Sequence, residues 1–346
     1  MLNLSDREWK PFFLTELFPV IQRGKRLKSE NHIPGKMPYV SSSALCNGVD
    51  NFISNTEKVR IFSDCISLAN SGSVGSSFYE PFSFVASDHV THLKNEKYNK
   101  YHYLFIASIM NRLSQKYNFN REINDNRISR EKIMLPIDTE GNLDLDFMEQ
   151  YIKERERQLV QKYKDFIGKN IQSWGGVLPD LKSVKWEVFH LQEIFNIYTG
   201  TDLIMNRVVE GTMPIISHAA TNNGVACRTE PIENRKLFSH KSTISLADRG
   251  NFKAFVQKED FYIGTRVKAL ESKYNIPYHS LFFIANQINL QSVRFSYGYN
   301  ACDNVGKIRI LLPANENNSP DYDFMEQYEK QLMVQKYRQY LNYISA

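Results

Sequence analysis

The chain has 346 residues, of which 42% are hydrophobic and 23% are charged. This share of apolar side chains is too high for a disordered chain, and no apolar run approaches the roughly eighteen residues needed to span a membrane. The length predicts two domains. A balance of 43 Lys and Arg against 38 Asp and Glu leaves a net charge of +5, which permits nucleic acid as a partner without requiring it.

The N-terminus and the cysteines both indicate a cytoplasmic protein. Residues 1–13 lack the basic region and apolar stretch of a signal peptide, so we expect no export. The widely spaced cysteines form no Cys-x-x-C pair and no Cys/His cluster, which argues against a zinc site and favours reduced thiols over a disulfide framework. The cysteines are Cys46, Cys65, Cys227 and Cys302.

The chain contains an internal repeat at an offset of about 177 residues. Residues 9–18 and 186–195 share a tryptophan, a phenylalanine and the ending Leu-x-Glu-aliphatic-Phe. Matching segments follow in the same order at 37–41 and 213–217, 47–49 and 223–225, 66–69 and 244–247, and 101–105 and 278–282. The sequence Asp-Phe-Met-Glu-Gln-Tyr at 146–151 recurs at 323–328, and this run of identities indicates a duplication.

Each copy predicts the same succession of elements. Short Val, Ile and Phe runs separated by Gly, Asn and Ser turns predict a β-rich stretch that ends near residue 95 or residue 270. Apolar residues at three- and four-residue spacing then predict a helix over 101–116. A strand ending in Leu-Pro follows in both copies, and a longer helix closes each copy.

The long helices carry apolar stripes and polar opposite faces. Asp144 and Asp146 are expected to cap the first helix, and Gly168 with the Gly- and Pro-containing segment 173–179 is expected to end it and link the halves. A helix of about 22 residues spans roughly 33 Å, near one turn of B-DNA, so the helices could space two DNA-reading units. Simple interdomain packing is the alternative. The predicted stripes are Phe147, Tyr151, Leu159, Tyr163 and Phe166 in one helix, and Met333, Tyr337, Tyr340 and Ile344 in the other.

Three polar loops differ between the copies while the framework agrees. Arg pairs bidentately with guanine and Asn with adenine, and Lys, Ser and Tyr bind phosphates, so the loops predict DNA reading; solvated turns are the alternative. The candidate DNA-binding residues of the first copy are Arg23, Lys25, Arg26, Lys28, Ser41, Ser43, Asn47, Asn70, Ser71, Ser73, Arg121, Asn124, Asn126 and Arg127. Those of the second copy are Thr199, Thr201, His218, Asn222, Asn223, Arg249, Asn251, Lys253, Tyr297, Tyr299, Asn300, Asn304 and Lys307.

These duplicated motifs resemble the specificity subunits of type I restriction-modification systems, and most of all the compact members that belong to bifunctional type IIB systems. The resemblance covers nearly the whole chain. It implies an α+β fold in which two tandem β-rich target recognition domains, with small helices, are joined by two long antiparallel spacer helices with pseudo-twofold symmetry. The implied boundaries are 1–143 and 178–319 for the recognition domains, 144–170 and 320–346 for the helices, and 171–177 for the linker.

The resemblance also implies a function in a complex. Each recognition domain would read one half of a bipartite asymmetric site on double-stranded DNA, and the helices would set the spacer and dock DNA methyltransferase or restriction subunits in a hetero-oligomer. The short helices favour the compact arrangement. The candidate partner-binding residues on the helices are Glu149, Tyr151, Arg155, Glu326, Tyr328 and Lys330.

A search for catalytic motifs predicts no enzyme. The chain has no Asn/Asp-Pro-Pro-Tyr/Phe loop, no S-adenosylmethionine turn and no phosphate loop. A nuclease grouping of Asp260 with Glu271 and Lys273 is not repeated in the first copy, and His102 and His279 are expected to be framework residues, as are Trp9 and Trp186. We expect no catalytic residue, metal or cofactor in this chain; S-adenosylmethionine and Mg²⁺ would belong to the partner subunits. A helical scaffold that recruits partners without reading DNA is the alternative function.

Overall fold

Two units with a similar order of elements make up the chain. The computed structural model describes residues 2–203, 208–248, 251–295 and 301–345, and it divides into Met1–Lys162 and Tyr163–Ala346. We call these unit 1 and unit 2. The predicted α+β class, with a β-rich stretch and then a long helix in each half, is confirmed.

Unit 1 contains three sheets. An antiparallel pair β1-β10 joins the first strand to the last, and a four-stranded antiparallel sheet has the order β2-β9-β6-β7. A second four-stranded sheet, β4-β3-β8-β5, contains one parallel pair, β3 with β8. The strands are β1 (Glu8–Phe13), β2 (Val20–Arg23), β3 (Pro34–Val40), β4 (Val49–Ile53), β5 (Ile61–Phe62), β6 (Cys65–Ala69), β7 (Ser77–Glu80), β8 (Phe84–Ala86), β9 (Val90–Lys94) and β10 (Lys132–Ile137).

The main core of unit 1 lies between the β2-β9-β6-β7 sheet and its helices. Ile66, Leu93 and Ile106 are all 0% exposed there, so the sheet and the longest of the short helices bury one continuous apolar surface. Two smaller clusters fill the β4-β3-β8-β5 sheet region. The helices are α1 (Leu14–Leu17), α2 (Lys100–Met110), α3 (Asp125–Ile128) and the long α4 (Leu145–Trp174), which continues into unit 2.

Unit 2 repeats this topology in its described residues, except that its third sheet has three strands in place of four. Its sheets have the orders β11-β19, β12-β18-β15-β16 and β14-β13-β17, and Ile244, Leu270 and Ile284 are 0% exposed in its main core. The strands are β11 (Lys185–His190), β12 (Phe195–Thr199), β13 (Glu210–Ile216), β14 (Val225–Thr229), β15 (Thr243–Ala247), β16 (Lys253–Val256), β17 (Tyr262–Ile263), β18 (Val267–Ser272) and β19 (Arg309–Ala314). The helices are α5 (Leu191–Ile194), α6 (Tyr278–Asn289) and α7 (Tyr322–Ser345).

The repeated tryptophans anchor the first strand of each unit. Trp9 is paired with Pro136, and its indole Nε1 donates to the carbonyl of Leu4 at 2.9 Å. Trp186 likewise lies opposite Pro313 and has the equivalent bond at 3.0 Å. Each ring packs against its unit's core cluster, which confirms the predicted framework role.

The first predicted helix is shorter than its apolar spacing indicates. The pattern predicts a helix over 101–116, whereas α2 ends at Met110 and a 3-10 turn continues over Asn111–Gln115. The Asn111 amide explains the change, because it bonds to both the N–H and the carbonyl of Ser77 at 2.8 and 2.9 Å. This side chain ties the end of α2 to β7.

The first long helix continues beyond its predicted end. We predict an end at 170 and a linker at 171–177, but α4 runs through Gly168 to Trp174, so most of that linker is helical. A glycine inside a helix costs only about 1 kcal/mol. The last turn is held because the Trp174 ring lies 4.7 Å from His279 and its carbonyl accepts a bond from Gln331.

The apolar stripe of α4 is only partly as predicted. Leu159 and Phe166 are 67% and 59% exposed, whereas the buried residues Met148 and Ile167 were not assigned to the stripe. The Asp144 carboxylate accepts from the N–H of Phe147 at 2.8 Å, as a helix cap does, and Asp321 does the same for Phe324.

Within unit 2, the end of α4 runs antiparallel to α7. The ring centres of Tyr163 and Tyr340 lie 5.0 Å apart. Trp174, further along α4, contacts Gln331, which is nearer the start of α7. At about 1.5 Å per residue, the 30 residues of α4 span roughly 45 Å and the 24 of α7 roughly 36 Å. The predicted antiparallel pairing is confirmed for this segment.

Candidate DNA interface

Two of the predicted loops of unit 1 are joined by a buried asparagine. The Asn70 amide donates to the carbonyl of Ile123 at 3.0 Å, and the Ile123 N–H donates to the Asn70 carbonyl at 3.0 Å. The Arg23 guanidinium reaches the same Ile123 carbonyl at 3.4 Å and lies 3.4 Å from the Asp125 carboxylate. The last residue of β2 and residues that follow β6 and α2 therefore meet at one edge of the sheet.

Asn70 and Ser71 are not exposed, which contradicts direct DNA contact by these side chains. They are 1% and 6% exposed, and the Ser71 hydroxyl bonds to Nδ1 of His89 at 2.6 Å. The buried Asn70 amide donates to the Ile123 carbonyl, and a buried bond of this kind holds a loop in place. We therefore reassign Asn70 from reading DNA to positioning the 120–127 loop.

A groove of about 430 Å³ opens beside these loops in unit 1. It brings together three predicted residues, Arg26, Lys28 and Ser41, with side chains that the sequence reasoning missed. The lining mixes cationic, carboxylate, imidazole and hydroxyl groups, the types that pair with base edges and phosphates. The full lining is Arg26, Leu27, Lys28, Ser29, Glu30, His32, Tyr39, Ser41, Ser42, Asp50, Ser87, Asp88 and His89.

The missed groove residues come from a short connection in the sequence. Ser87, Asp88 and His89 lie between the buried strands β8 and β9, and a polar tripeptide between two apolar runs is the signal that could have found them. His89 is exposed, and its Nδ1 is occupied by Ser71. Its Nε2 is therefore the ring nitrogen left to contact a ligand.

The 120–127 loop is locally rigid. The Asn124 side chain caps α3 by accepting from the N–H of Arg127 at 2.9 Å, so this predicted DNA-binding residue has a structural role as well. The Arg127 guanidinium donates to the carbonyl of Glu122, and Arg121 lies 5.3 Å from the centre of the Tyr117 ring. Arg121, Asn126 and Arg127 are exposed, so their charged or amide ends are accessible.

At the corresponding edge of unit 2, a buried ion pair replaces this arrangement. Lys268 donates to the Thr199 hydroxyl at 2.8 Å and lies 3.6 Å from the Asp248 carboxylate. The side chains of Lys268 and Asp248 are only 6% and 2% exposed. Strand register and the repeat place Lys268 where unit 1 has Thr91, and Asp248 where it has Asn70. The sequence reasoning missed Lys268, although the exchange of Thr91 for Lys268 is visible when the two copies are aligned with each other.

The remaining predicted residues lie in different surroundings. The Thr201 hydroxyl is taken by the Arg235 guanidinium at 2.6 Å, and the aligned turn residues Asn222 and Asn223 both have left-handed backbones, with φ of 50° and 51°. The other exposed candidates are Lys25, Asn47, His218, Asn251, Asn304 and Lys307, and the half-buried ones are Ser43, Ser73 and Lys253. Arg249, Tyr297, Tyr299 and Asn300 lie outside the described residues.

Some of the predicted partner-binding residues link a long helix to its own unit, and others pair along the helix itself. Glu149 accepts from Lys153 and, at 2.6 Å, from the Asn99 amide, and these bonds hold the pKa of the Glu149 carboxyl below its usual value. In unit 2, Glu326 pairs with Lys330 at 2.7 Å. Arg155 lies 5.1 Å from the Tyr151 ring centre, and Tyr328 lies 5.6 Å from Phe283.

The repeated histidines belong to the same junctions. His102 lies 3.6 Å from Glu149, and His279 lies 3.6 Å from Glu326. Burial lowers the pKa of both imidazoles. Their place between the short and long helices supports the framework role predicted for them.

Neither a metal centre nor a membrane span is found in the part of the chain that the structure describes. No three His, Cys, Asp or Glu side chains there are grouped to hold an ion. No helix there is both long and apolar enough to cross a bilayer.

Comparison with known proteins places this geometry in a family. Residues 6–163 and 183–340 match the type I restriction modification DNA specificity domain. The specificity subunit S.BcgI of a type II restriction enzyme from Heyndrickxia coagulans is 29% identical over 339 residues, which is 93% of this chain and 93% of that protein.

The solved structures that match this chain include two specificity subunits. The S subunit of a type I restriction-modification system from M. genitalium has a TM-score of 0.48 and 16% identity, over 99% of this chain and 95% of that chain. The HsdS subunit from Thermoanaerobacter tengcongensis has a TM-score of 0.33 and 14% identity, over 96% of this chain and 90% of that chain. Because the family match takes in most of both units, this chain belongs to the type I restriction-modification DNA specificity family and contains two copies of its domain.

Proposed function

We propose that unit 1 and unit 2 each read one half of a bipartite, asymmetric sequence in double-stranded DNA. One observation carries the proposal: the units share strand register and turn geometry, but their side chains differ at the same sheet edge. Arg23, Thr91 and Asn70 stand in unit 1 where Thr199, Lys268 and Asp248 stand in unit 2. A common scaffold with different polar groups is what two different half-sites require.

The groove of unit 1 supports base reading within this proposal. Arg26 and Lys28 supply donors, Asp50 and Asp88 supply acceptors, and His89 can do either. Lys28 pairs with Glu30 at 3.2 Å, but both side chains are more than 60% exposed, so the pair is weak and Lys28 is available to a phosphate.

The chain's partners in this proposal carry the chemistry. The long helices would dock DNA methyltransferase or restriction subunits in a hetero-oligomer, and those subunits would bind S-adenosylmethionine and Mg²⁺. This chain is similar along 93% of its length to a subunit named for a type II enzyme. That similarity supports the compact type IIB arrangement. We expect the purified chain alone to neither methylate nor cleave DNA; either activity in the chain alone would contradict this.

Enrichment of random duplexes tests the proposal. The chain, alone or with its partner subunits, should select two conserved blocks separated by a spacer of fixed length. Affinity should fall linearly with the logarithm of salt concentration, since phosphate contacts release counterions. Selection of no sequence, or of one continuous block, would overturn the bipartite proposal.

A further inference from the structure

A buried glutamate lies at the end of β7 in unit 1. Glu80 is 0% exposed. Its Oε1 accepts from the Ser67 hydroxyl at 2.9 Å, while its Oε2 is buried with no hydrogen-bond donor among the residues the structure describes. An ionised carboxylate here would keep an uncompensated charge away from water, which is far more costly than burying the neutral acid.

The duplicate shows what this position does when it carries no charge. Gln257 follows Phe255 by two residues in unit 2, as Glu80 follows Phe78, and each phenylalanine pairs with a serine of the neighbouring strand. The Gln257 amide is 3% exposed. Its Nε2 donates to the Ser245 hydroxyl at 2.8 Å and to the carbonyl of Asn223 at 2.9 Å.

In unit 2, the Gln257–Asn223 bond holds a strained turn, and unit 1 contains the same turn. Cys46–Gly48 has φ values of 50°, 53° and 80°, and Asn222–Gly224 has 50°, 51° and 77°. The turns also share their backbone bonds, from Gly48 to Leu45 at 2.8 Å and from Gly224 to Thr221 at 2.9 Å. Left-handed backbone at two non-glycine residues must be stabilised by its surroundings, and Cys46 tolerates it less well than Asn222 does.

We propose that Glu80 is a neutral carboxylic acid whose O–H donates to the carbonyl of Asn47 and so holds the Cys46–Gly48 turn. This O–H takes the place of the N–H that Gln257 gives to Asn223. Loss of the proton removes the donor and brings a negative charge toward a carbonyl oxygen. The turn of unit 1 therefore depends on a proton, whereas the turn of unit 2 does not.

The surroundings of Glu80 agree with a neutral acid. Burial raises the pKa of Glu80 to about 7, against the opposing effect of the Ser67 hydrogen bond. Burial and the Ser67 hydrogen bond are the causes of this shift, and no cation is among them. The titratable side chains on the elements that pack on β7 are Cys65 on β6, Cys46 in the turn, and Lys100, Tyr101, His102 and Tyr103 on α2.

This inference goes beyond DNA reading and can fail or succeed without it. Asn47 is a candidate DNA-binding residue, so the proton would affect recognition by unit 1 if the proposed function holds. The turn itself can be measured in the absence of DNA.

Amide hydrogen exchange of the full chain tests the proposal. After correction for intrinsic rates, segment 45–49 should lose protection about tenfold between pH 5 and pH 8, as Glu80 ionises through its pKa of about 7, and segment 221–225 should not. Glu80→Gln should keep segment 45–49 protected throughout. Unchanged protection in the natural chain, or equal loss in Glu80→Gln, would overturn the proposal.

A matched control separates this effect from general stability. Glu329 in α7 is also buried, and burial raises its pKa to about 7. Glu329→Gln should leave the exchange of segment 45–49 as pH-dependent as in the natural chain; the same rescue as Glu80→Gln would contradict the proposal. Infrared difference spectra between the natural chain and Glu80→Gln give a second measurement. They should show a protonated carboxyl band below the pKa, and a carboxylate band there would overturn the assignment.

Discussion

Removing the buried cation of unit 2 should destabilise that unit strongly. Lys268→Met keeps most of the side-chain volume but leaves the Asp248 carboxylate, which is 2% exposed, without the ammonium group 3.6 Å away. Breaking a buried pair by removing one partner costs about 3–5 kcal/mol, because the remaining charge stays out of water. We expect about 3 kcal/mol for Lys268→Met.

Two further variants define the physical cause. Lys268→Met combined with Asp248→Asn places at position 248 the residue that unit 1 has at Asn70, and it should recover most of the loss because no buried charge remains. Asp125→Asn removes the partner of Arg23 in unit 1. That pair is 36% and 82% exposed, so the change should cost less than about 1 kcal/mol.

Denaturant and thermal unfolding of the full chain measure these differences. A loss of about 3 kcal/mol in a domain of this size lowers the melting temperature by roughly 6–12 °C. A single-variant loss as small as that of Asp125→Asn would refute the reasoning. So would a double variant as unstable as Lys268→Met.

Other substitutions give distinct expected outcomes. Glu80→Gln should stabilise the chain increasingly as the pH rises: the folded-state pKa of about 7 exceeds the reference value of 4.5, so the natural residue's contribution is complete below 4.5 and is lost as the pH rises through about 7. The difference between these two pKa values corresponds to about 3 kcal/mol. It should appear as the increase in the stabilising effect of Glu80→Gln between pH values below 4.5 and above 7, measured from unfolding free energies. Asn70→Ala should cost about 1–3 kcal/mol and increase hydrogen exchange in the 120–127 loop, because the Ile123 carbonyl loses a buried donor; unchanged exchange would argue against a positioning role. Lys28→Ala should reduce the salt-dependence slope of DNA binding by about 1 without changing the selected sequence, and an altered sequence would show that Lys28 reads bases.

The repeat made the architecture predictable. Identical residues in the two copies located the tryptophan strands, the Leu-Pro strands and the long helices. Framework residues are conserved between the copies because each unit packs a core of the same kind. Apolar spacing was less reliable at helix ends. It could not show that Asn111 would tie α2 to β7, or that Trp174 would extend α4 past Gly168.

The candidate site was less predictable because polarity alone does not distinguish exposed from buried groups. Asn70 fitted the composition of a reading loop, yet its amide donates to the Ile123 carbonyl inside unit 1. Lys268 was overlooked because it lies in an apolar strand, β18, where its charge is paired by Asp248 from another strand end. Such pairing depends on strand order, which the sequence does not state directly.

The central claim is that each unit reads its own half-site, and variants in matching loops test it most directly. Arg127→Ala in unit 1 and Lys307→Ala in unit 2 each remove an exposed cation before the last strand of the unit. Selection from random duplexes, with the natural chain in parallel, should show each variant losing preference within one conserved block only, by about 1–3 kcal/mol if a base contact is lost. Equal loss in both blocks for either variant would contradict the account.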